Sequence, residues 1–375
     1  MRPWLETRFG NPHSPHRLGR EAAAAVEVAR DQVLAALHCP LPGPREGPGV
    51  GTPPEKPSTG APAGRLYFTS GATEAANWAL KGAAARLPEG RRRIVALATE
   101  HACVLDTVHW LGGQGFDVDI LPVEPDGLVD LDLAARRIDG RTGLVAAMLV
   151  NNEIGVIQPV AELGAIARAA GALFFCDAVQ GLGRVPVPLG ACDMVAVSAH
   201  KVHGPKGIGA LWIADGVAID PLLHGGGQEG GIRSGTLSPA LCAGFGAAAR
   251  LLVERAEADR AHVARLWEIA RGLTRDWSLN GSETARYRGN LNIRREGLDS
   301  ARLISELRDV ALSAGSACAS GSGRASHVLA ALGLPDRAAR ASLRIGFGRY
   351  TREEELRAAL GRIAEAAARQ RSFAA

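Results

Sequence analysis

The sequence lacks the long hydrophobic runs that would place a chain in a membrane. Its longest uninterrupted apolar runs, such as "LVAAMLV" at 144–150, are far shorter than the roughly 20 residues of a spanning helix. The start, "MRPWLETRFG", carries charges among its first residues and has no apolar core like that of a signal peptide. We therefore expect a cytoplasmic location and no membrane partner.

A strong excess of one charge sign is also missing. The chain has 43 Lys and Arg against 39 Asp and Glu, which gives a formal net charge of +4 over 375 residues. Because the two signs are interspersed, no basic stripe indicates a nucleic-acid surface. We expect no direct nucleic-acid partner.

Paired cysteines are the third absence. The six cysteines are scattered without a CxxC pair, which argues against a zinc site or a disulfide framework, so we expect no metal. Cys176 and Cys192 lie in strand-like apolar runs, where a small buried hydrophobic role is the ordinary explanation. Cys318 differs because it lies in "SAGSACASGSG", a run of small residues without hydrophobic period. This context favours an exposed, mobile thiol.

The order of patterns along the chain predicts an α/β protein. Residues 1–38 contain an alanine-rich amphipathic helix, and residues 39–64 form a Pro/Gly-rich stretch that we expect to be a disordered insertion. From 65 to 237, continuous apolar strands alternate with helices, which predicts a large domain with a mainly parallel sheet covered on both faces. Residues 238–375 begin with a long helix followed by shorter strands, which predicts a smaller C-terminal α+β domain.

Polar residues follow several of the predicted strands, where ligands bind in open α/β sheets. In "YFTSGATEAANWAL", the free N–H groups near Ala72 and Thr73 could hold a phosphate, although an ordinary capped turn explains the same pattern. Asp177 ends an apolar strand, with a structural salt bridge as the alternative. His101 and Asn152 follow two further strands, with a helix cap and a turn as their alternatives.

A lysine completes this set. Lys201 lies in "SAHKVHGPKGIGALWI", between the end of a strand and a glycine-rich turn. A phosphate cradle, an imidazole, a buried carboxylate and a lysine at the strand ends of one sheet are what pyridoxal 5′-phosphate (PLP) requires. The lysine binds the cofactor covalently, and the carboxylate keeps the ring nitrogen protonated. We therefore predict a PLP site around Lys201.

The chain resembles the NifS/IscS-type cysteine desulfurases, fold type I PLP-dependent enzymes of the class V aminotransferase group. The resemblance rests on ordered motifs: "FTSGATEA", "TEH", "NNEIGVIQP", "DAVQ", "SAHKVHGPKGIGAL", "GGGQEGGIRSGT", "GSACAS" and "LRIGFGRYTREEE". It extends from about Phe9 to the C-terminus, apart from the insertion. It implies a PLP-dependent sulfurtransferase that removes sulfur from L-cysteine, leaving L-alanine and an enzyme cysteine persulfide. The sulfur would pass to an acceptor protein, either an iron–sulfur scaffold or a tRNA-thiolation relay.

The resemblance also implies roles for residues around the cofactor ring. Lys201 would bind the cofactor covalently, and His101 would stack on the ring and move protons. Asp177 would pair with the ring nitrogen, while Gln180 would bond the phenolic oxygen.

Further roles concern the phosphate, the substrate and the sulfur. Four residues would hold the phosphate: Ala72, Thr73, Ser198 and His200. Thr236 in "RSGT" would reach the phosphate of a partner subunit, which implies a homodimer. Asn152 would contact cofactor and substrate, Arg344 would bind the substrate carboxylate in a bidentate pair, and Cys318 would be the nucleophile that takes the sulfur.

The sequence departs from the family pattern in four ways. Family members usually begin further upstream, the 39–64 insertion is unusual, "SAHK" replaces "SGHK", and Gly230 stands where arginine is frequent. We expect the missing first segment to lower activity more than folding.

Three alternatives to the desulfurase remain. They are a selenocysteine lyase, another class V PLP enzyme such as an aminotransferase, and a truncated low-activity paralogue. "GSACAS" argues against an aminotransferase, which needs no mobile cysteine. Intact Lys201, Asp177 and Cys318 argue against a scaffold without activity.

Overall fold

The computed structural model describes residues 1–39, 63–314 and 326–372. The predicted insertion at 39–64 therefore lies almost wholly outside the described residues, and so does Cys318. Within the described ranges, no helix is both long and apolar enough to cross a membrane.

Helices and strands alternate along the first two thirds of the chain, as the sequence predicts. The helices are α1 (Arg2–Glu6), α2 (Arg17–Leu37), α3 (Ala72–Ala84), α4 (Ala102–Gly113), α5 (Leu131–Arg137), α6 (Val160–Ala169), α7 (Pro239–Leu273), α8 (Ser300–Glu306), α9 (His327–Ala331), α10 (Asp336–Arg340) and α11 (Glu353–Ser372). The strands are β1 (Gly64–Thr69), β2 (Arg93–Leu97), β3 (Asp117–Leu121), β4 (Thr142–Met148), β5 (Leu173–Asp177), β6 (Met194–Ser198), β7 (Gly209–Ala214), β8 (Ser278–Leu279), β9 (Asn290–Arg294), β10 (Ser313–Ala314) and β11 (Ser342–Gly346).

The described residues divide into two compact units. Unit 1 draws on Met1–Leu121, Leu131–Leu149 and Pro159–Ala256, and unit 2 on Pro122–Asp130, Val150–Gln158 and Glu257–Ala375. The domain boundaries expected from the sequence, 65–237 and 238–375, stay a prediction.

Unit 1 is built on a seven-stranded sheet with the order β1-β7-β6-β5-β4-β2-β3. The five strands β3, β2, β4, β5 and β6 run parallel, while β7 is antiparallel to both of its neighbours, β6 and β1. Every residue of β4 is buried, as expected for a central strand with helices on both faces. The prediction of a mainly parallel α/β sheet is confirmed.

Apolar spacing explains how helices cover this sheet. In α2 the buried residues Ala22, Val26, Ala29 and Val33 recur every three or four positions, so one face packs inward. In α3, Trp78 is fully buried in the core cluster of unit 1, and its indole N–H donates to a backbone carbonyl at 3.0 Å. Burying the ring therefore leaves no unpaired indole donor.

Unit 2 contains a smaller antiparallel sheet with the order β10-β11-β9-β8. Its apolar face, with Leu291, Ile293 and Leu343, packs in a cluster that also contains Trp267 of α7. A separate cluster joins Ile154 and Val156 to helix α9. The chain thus has the fold class that the sequence predicts, with short elements in unit 2 that it did not predict.

Candidate active site

The carboxyl ends of six strands of unit 1 meet at one edge of the sheet. Five strands run parallel, and β1 runs in the same direction as β6 because both are antiparallel to β7. Gly209 of β7 pairs with Thr69 on one side and with Ser198 on the other. This register brings the loops after β1 and β6 to the same place, and ligands of α/β sheets bind at such an edge.

Gly209 allows these two loops to approach closely. A Cβ atom at this position would lie 2.8 Å from the Cα of Gly71 and 2.7 Å from the carbonyl oxygen of Val197. Both neighbours are backbone atoms, which cannot rotate away. Only glycine permits the close packing of β7 on the turn that starts α3.

The first turn of α3 offers backbone donors to an anion. The first helical hydrogen bond is that from Ala75 N–H to the carbonyl of Gly71, at 3.1 Å. The N–H groups of Ala72, Thr73 and Glu74 therefore come before the helical ladder, at the positive end of a 13-residue helix. The predicted phosphate residues Ala72 and Thr73 thus lie in a suitable cradle.

An ion pair holds this turn in place. Arg233 donates from Nε to Glu74 Oε1 at 2.7 Å and from Nη2 to Oε2 at 3.0 Å, and Ser70 N–H donates to Oε2 at 2.7 Å. Burial alone would raise the pKa of Glu74, but the bonds from Arg233 and Ser70 lower it instead. The carboxylate beside the cradle is therefore neutralised by a partner. Thr236, three residues after Arg233, is exposed, and its role in a partner subunit stays a prediction.

The turn after β6 carries the other predicted phosphate residues and the lysine. Ser198 is buried at the end of β6, with its Oγ 2.9 Å from Nδ1 of His200. Burial lowers the pKa of His200, and the neighbouring cations Lys201 and Lys206 lower it further. Lys201 lies within the 3₁₀ turn Ala199–Val202, directly after the strand.

Asp177, His101 and Lys201 come together at this edge. Asp177 ends β5 with 6% of its surface exposed, and its Oδ1 accepts the N–H of Val179 at 2.9 Å. Burial raises the pKa of Asp177, while the bond from Val179 and attraction to His101 and Lys201 oppose that rise. Three predicted site residues from three loops are therefore close enough to interact electrostatically.

His101 is also the N-cap of α4, so the capping role and the site role coexist. Its Nδ1 accepts the backbone N–H of Cys103 at 3.2 Å and lies 3.1 Å from Sγ of the same residue. Because a backbone N–H can only donate, Nδ1 is the acceptor and the ring proton of neutral His101 lies on Nε2. Burial, together with the charges of Asp177 and Glu100, raises the pKa of the Cys103 thiol.

Two further residues belong to this edge although the sequence did not single them out. Glu100 is fully buried and accepts the N–H of Met148 on Oε1 at 2.7 Å. Burial and the nearby Asp177 raise its pKa well above the ordinary value. Arg184 donates to Gln180 and to the carbonyl of Lys201. The sequence signal for Arg184 is weak: it is a basic residue four positions after Gln180.

The predicted substrate residues lie together in unit 2. Arg344 of β11 donates from Nη1 to the carbonyl of Asn152 at 3.1 Å and from Nη2 to Oγ of Ser313 at 3.2 Å. The side-chain amide of Asn290 donates to the same carbonyl of Asn152, also at 3.1 Å. The loop with Asn152 is thereby fixed to the strand that carries Arg344.

Five of the six cysteines lie in the described ranges. They are Cys39, Cys103, Cys176, Cys192 and Cys242, all buried or half-buried. Burial raises the pKa of Cys39 and Cys103 and raises that of Cys242 to about 12. The pKa of Cys176 is raised first by its hydrogen bond with Cys192 and then by burial. These four thiols, with their raised pKa values, favour the protonated, unreactive form. Within the described ranges, no group of three His, Cys, Asp or Glu side chains could hold a metal ion.

The chemistry of this donor set fits PLP. The phosphate matches the first turn of α3, and the amine of Lys201 can bond to the aldehyde carbon. A protonated ring nitrogen would supply the cation that the buried carboxylate of Asp177 needs.

Comparisons with known proteins agree with the fold and with the family that the motifs indicate. Residues 59–358 match the family described as aminotransferase class-V. Cysteine desulfurase IscS of Rickettsia bellii (strain OSU 85-389) is 40% identical over 365 residues, covering 95% of this chain and 84% of that protein. A solved structure called NifS-like protein superposes with a TM-score of 0.83 at 31% identity, covering 97% of this chain and 93% of its own. The structure of SspA in complex with cysteine gives a TM-score of 0.75 at 31% identity and covers 94% of each chain.

Together, these matches define a class V aminotransferase fold. The chain belongs to the NifS/IscS-type cysteine desulfurases within that class. Families of this class depend on PLP. The resemblance inferred from the motifs and the fold type I architecture are confirmed, whereas the roles of the individual site residues stay predictions.

Proposed function

We propose that the chain is a PLP-dependent cysteine desulfurase that transfers the sulfur of L-cysteine to Cys318 and releases L-alanine. The observation that carries this proposal is the meeting of Asp177, His101 and Lys201 at one edge of the sheet, where electrostatic interactions with His101 and Lys201 lower the pKa of the buried Asp177 against the effect of burial. Membership in the cysteine desulfurase family supports it.

The residues of unit 1 would hold the cofactor. The N–H groups of Ala72 and Thr73, with Ser198 and His200, would bind the phosphate, and Lys201 would attach to the aldehyde carbon. Asp177 would keep the ring nitrogen protonated, and Gln180 would donate to the phenolic oxygen. When bound, PLP supplies an electron sink for the bonds at the substrate α-carbon.

We propose that His101 stacks on the ring and moves protons, and its N-cap contact decides which nitrogen does what. Because Nδ1 accepts the N–H of Cys103, Nε2–H is the group of the neutral ring that can donate, and a proton taken up by the ring would bind at Nδ1 and end the N-cap contact. The same contact fixes the ring orientation, since the imidazole is held at the start of α4.

The substrate would be recognised by Arg344 through its carboxylate. The guanidinium is held by the carbonyl of Asn152 and by Ser313, which leaves a planar fork suited to a bidentate carboxylate pair. The cysteine bound in the structure of SspA supports an amino acid of this class as the substrate.

Cys318 is the proposed nucleophile. The pKa values of the shifted thiols at Cys39, Cys103, Cys176 and Cys242 are raised, which disfavours each of them as a thiolate. The Cys318 thiolate would attack the substrate sulfur, forming a sulfur–sulfur bond as the bond between sulfur and the β-carbon breaks. The electron pair of that bond stays on carbon, which takes a proton to complete alanine.

We propose that the chain acts with two kinds of protein partner, a second copy of itself and a sulfur acceptor. A homodimer would complete the phosphate site through Thr236, and the persulfide would pass to an acceptor protein, an iron–sulfur scaffold or a tRNA-thiolation relay. The IscS name of the relatives supports a role in sulfur transfer.

The test is to load the purified chain with PLP, add L-cysteine and quantify alanine and sulfide together. We expect equal amounts of both in the presence of a thiol reductant, and neither with Lys201→Ala. Borohydride reduction of the loaded protein should attach the cofactor to Lys201. The matched control is Lys206→Ala, which should still be labelled at Lys201; labelling at Lys206 in the parent would contradict the assignment.

A further inference from the structure

Arg184 links the two loops that carry Gln180 and Lys201. Its Nη1 donates to the backbone carbonyl of Gln180 at 3.0 Å and to the side-chain oxygen Oε1 of the same residue. Its Nη2 donates to the backbone carbonyl of Lys201 at 2.8 Å. One half-buried guanidinium thus reaches three oxygens in the loops after β5 and β6.

The first contact fixes the side-chain amide of Gln180. A glutamine amide has an acceptor end and a donor end of nearly equal size, so its orientation depends on its partners. A guanidinium has only donors, so it can bind only the oxygen end. With Oε1 bound to Arg184, the remaining polar atom, Nε2, can only donate.

A donor-only amide distinguishes two states of the ring oxygen that Gln180 is proposed to contact. The ionised phenolic oxygen accepts a hydrogen bond from Nε2, whereas the protonated oxygen also carries a hydrogen that this amide cannot accept. Arg184 therefore favours the ionised ring oxygen. Its positive charge also polarises the amide of Gln180, which makes Nε2–H a stronger donor to that ionised oxygen.

The second contact links this amide to the lysine. Because Nη2 holds the backbone carbonyl of Lys201, the turn Ala199–Val202 and the turn with Gln180 keep a fixed separation. A change at Arg184 would thus loosen both the covalent attachment point and the ring-oxygen donor.

We propose that Arg184 is a positioning residue of the cofactor site, which orients Gln180 and anchors the turn of Lys201 so that the ionised ring oxygen is favoured. This inference rests on the proposed function and deepens it. The other titratable or charged side chains at this edge of the sheet are all kept in the Arg184 variants: Glu100, His101, Cys103, Asp177, His200, Lys201 and Lys206. The variants therefore differ from the parent in the Arg184 side chain alone.

The experiment compares Arg184→Met and Arg184→Lys with the parent. The first readout is the dissociation constant for PLP, measured by titrating the apo protein. The second is the pH midpoint, the pH at which the yellow absorption band of the PLP-loaded protein has lost half of its intensity. The control is Arg168→Met. Arg168 also donates to a backbone carbonyl, that of Gly190, but it lies in the last turn of α6, which leads to the opposite edge of the sheet.

We expect Arg184→Met to weaken PLP binding about tenfold and to raise the pH midpoint by about one unit, which corresponds to the same factor. Arg184→Lys should fall between, because a single ammonium keeps the charge but cannot reach all three oxygens. Arg168→Met should match the parent in both readouts. If Arg184→Met does not fold, the PLP affinity and pH midpoint of Arg184→Lys are compared with those of the parent instead.

Parent-like affinity and midpoint in the folded Arg184 variants would overturn the inference and leave the proposed function intact. A parent that takes up no PLP and shows no yellow band would instead overturn the proposed function, and with it this inference.

Discussion

Replacing Gly209 with alanine tests the close packing that forms the phosphate cradle. The added Cβ would lie 2.8 Å from the Cα of Gly71 and 2.7 Å from the carbonyl oxygen of Val197. An ordinary van der Waals separation begins at about 3.4 Å, so one side must move by roughly 0.6 Å. Since Gly71 immediately precedes α3, the movement would displace the donors of Ala72 and Thr73 from the end of β6.

The cost follows from the rigidity of both neighbours. Overpacking of a well-packed region costs about 1–3 kcal/mol, and a value of about 2 kcal/mol is expected because backbone must shift on each side. For a unit of this size, that free energy lowers the Tm by roughly 4–8 °C. PLP affinity should fall as well, because the helix donors no longer converge with Ser198 on the phosphate.

The assay is a thermal melt of the apo protein together with a PLP titration. Gly190→Ala is the matched control, because a Cβ at Gly190 meets no atom within 4 Å. The control should melt as the parent does and bind PLP with parent affinity. Equal melting temperatures and PLP affinities for Gly209→Ala and Gly190→Ala would show that the contact of Gly209 with Gly71 does not shape the cradle.

Two further predictions concern buried charges. Burial raises the folded-state pKa of Glu100, so its contribution to stability is complete below its unfolded pKa of about 4.3 and is lost as the pH rises through the raised value. Glu100→Gln keeps an acceptor for Met148 N–H, so the Tm of the apo variant should fall less than that of the parent as the pH rises above about 5; an unchanged profile would contradict this. Arg233→Met should destabilise the protein by roughly 1.5–3 kcal/mol, because it leaves the carboxylate of Glu74 beside the cradle without its cation. Denaturant melts should show that adding Glu74→Gln recovers most of this loss, and a double variant as unstable as the single one would show that the pair does not carry the effect.

The sequence predicted the elements of unit 1 well because their signals are local. Continuous apolar runs indicated β4, β5 and β6, because a strand that is buried on both faces has apolar residues at consecutive positions. Polar residues directly after these strands marked Asp177 and Lys201, since parallel strands deliver their carboxyl ends to one edge.

Other features could not be predicted because they depend on which side chains meet in three dimensions. Arg184 contacts the carbonyl of a residue 17 positions away, and Glu100 contacts a backbone N–H 48 positions away. The spacing of apolar residues along the sequence gives no information about such long-range hydrogen bonds. Short elements of unit 2, such as the two-residue strands β8 and β10, have too few residues to show a period at all.

The most direct test of the desulfurase account is peptide mass spectrometry of the PLP-loaded chain after one turnover with L-cysteine. We expect one added sulfur atom on the peptide that contains Cys318 and on no other cysteine. Cys318→Ala should still bind PLP but form no alanine from L-cysteine, whereas a selenocysteine lyase would keep its activity on selenocysteine. Sulfur found on Cys103 or Cys176, or alanine still formed by Cys318→Ala, would contradict the account.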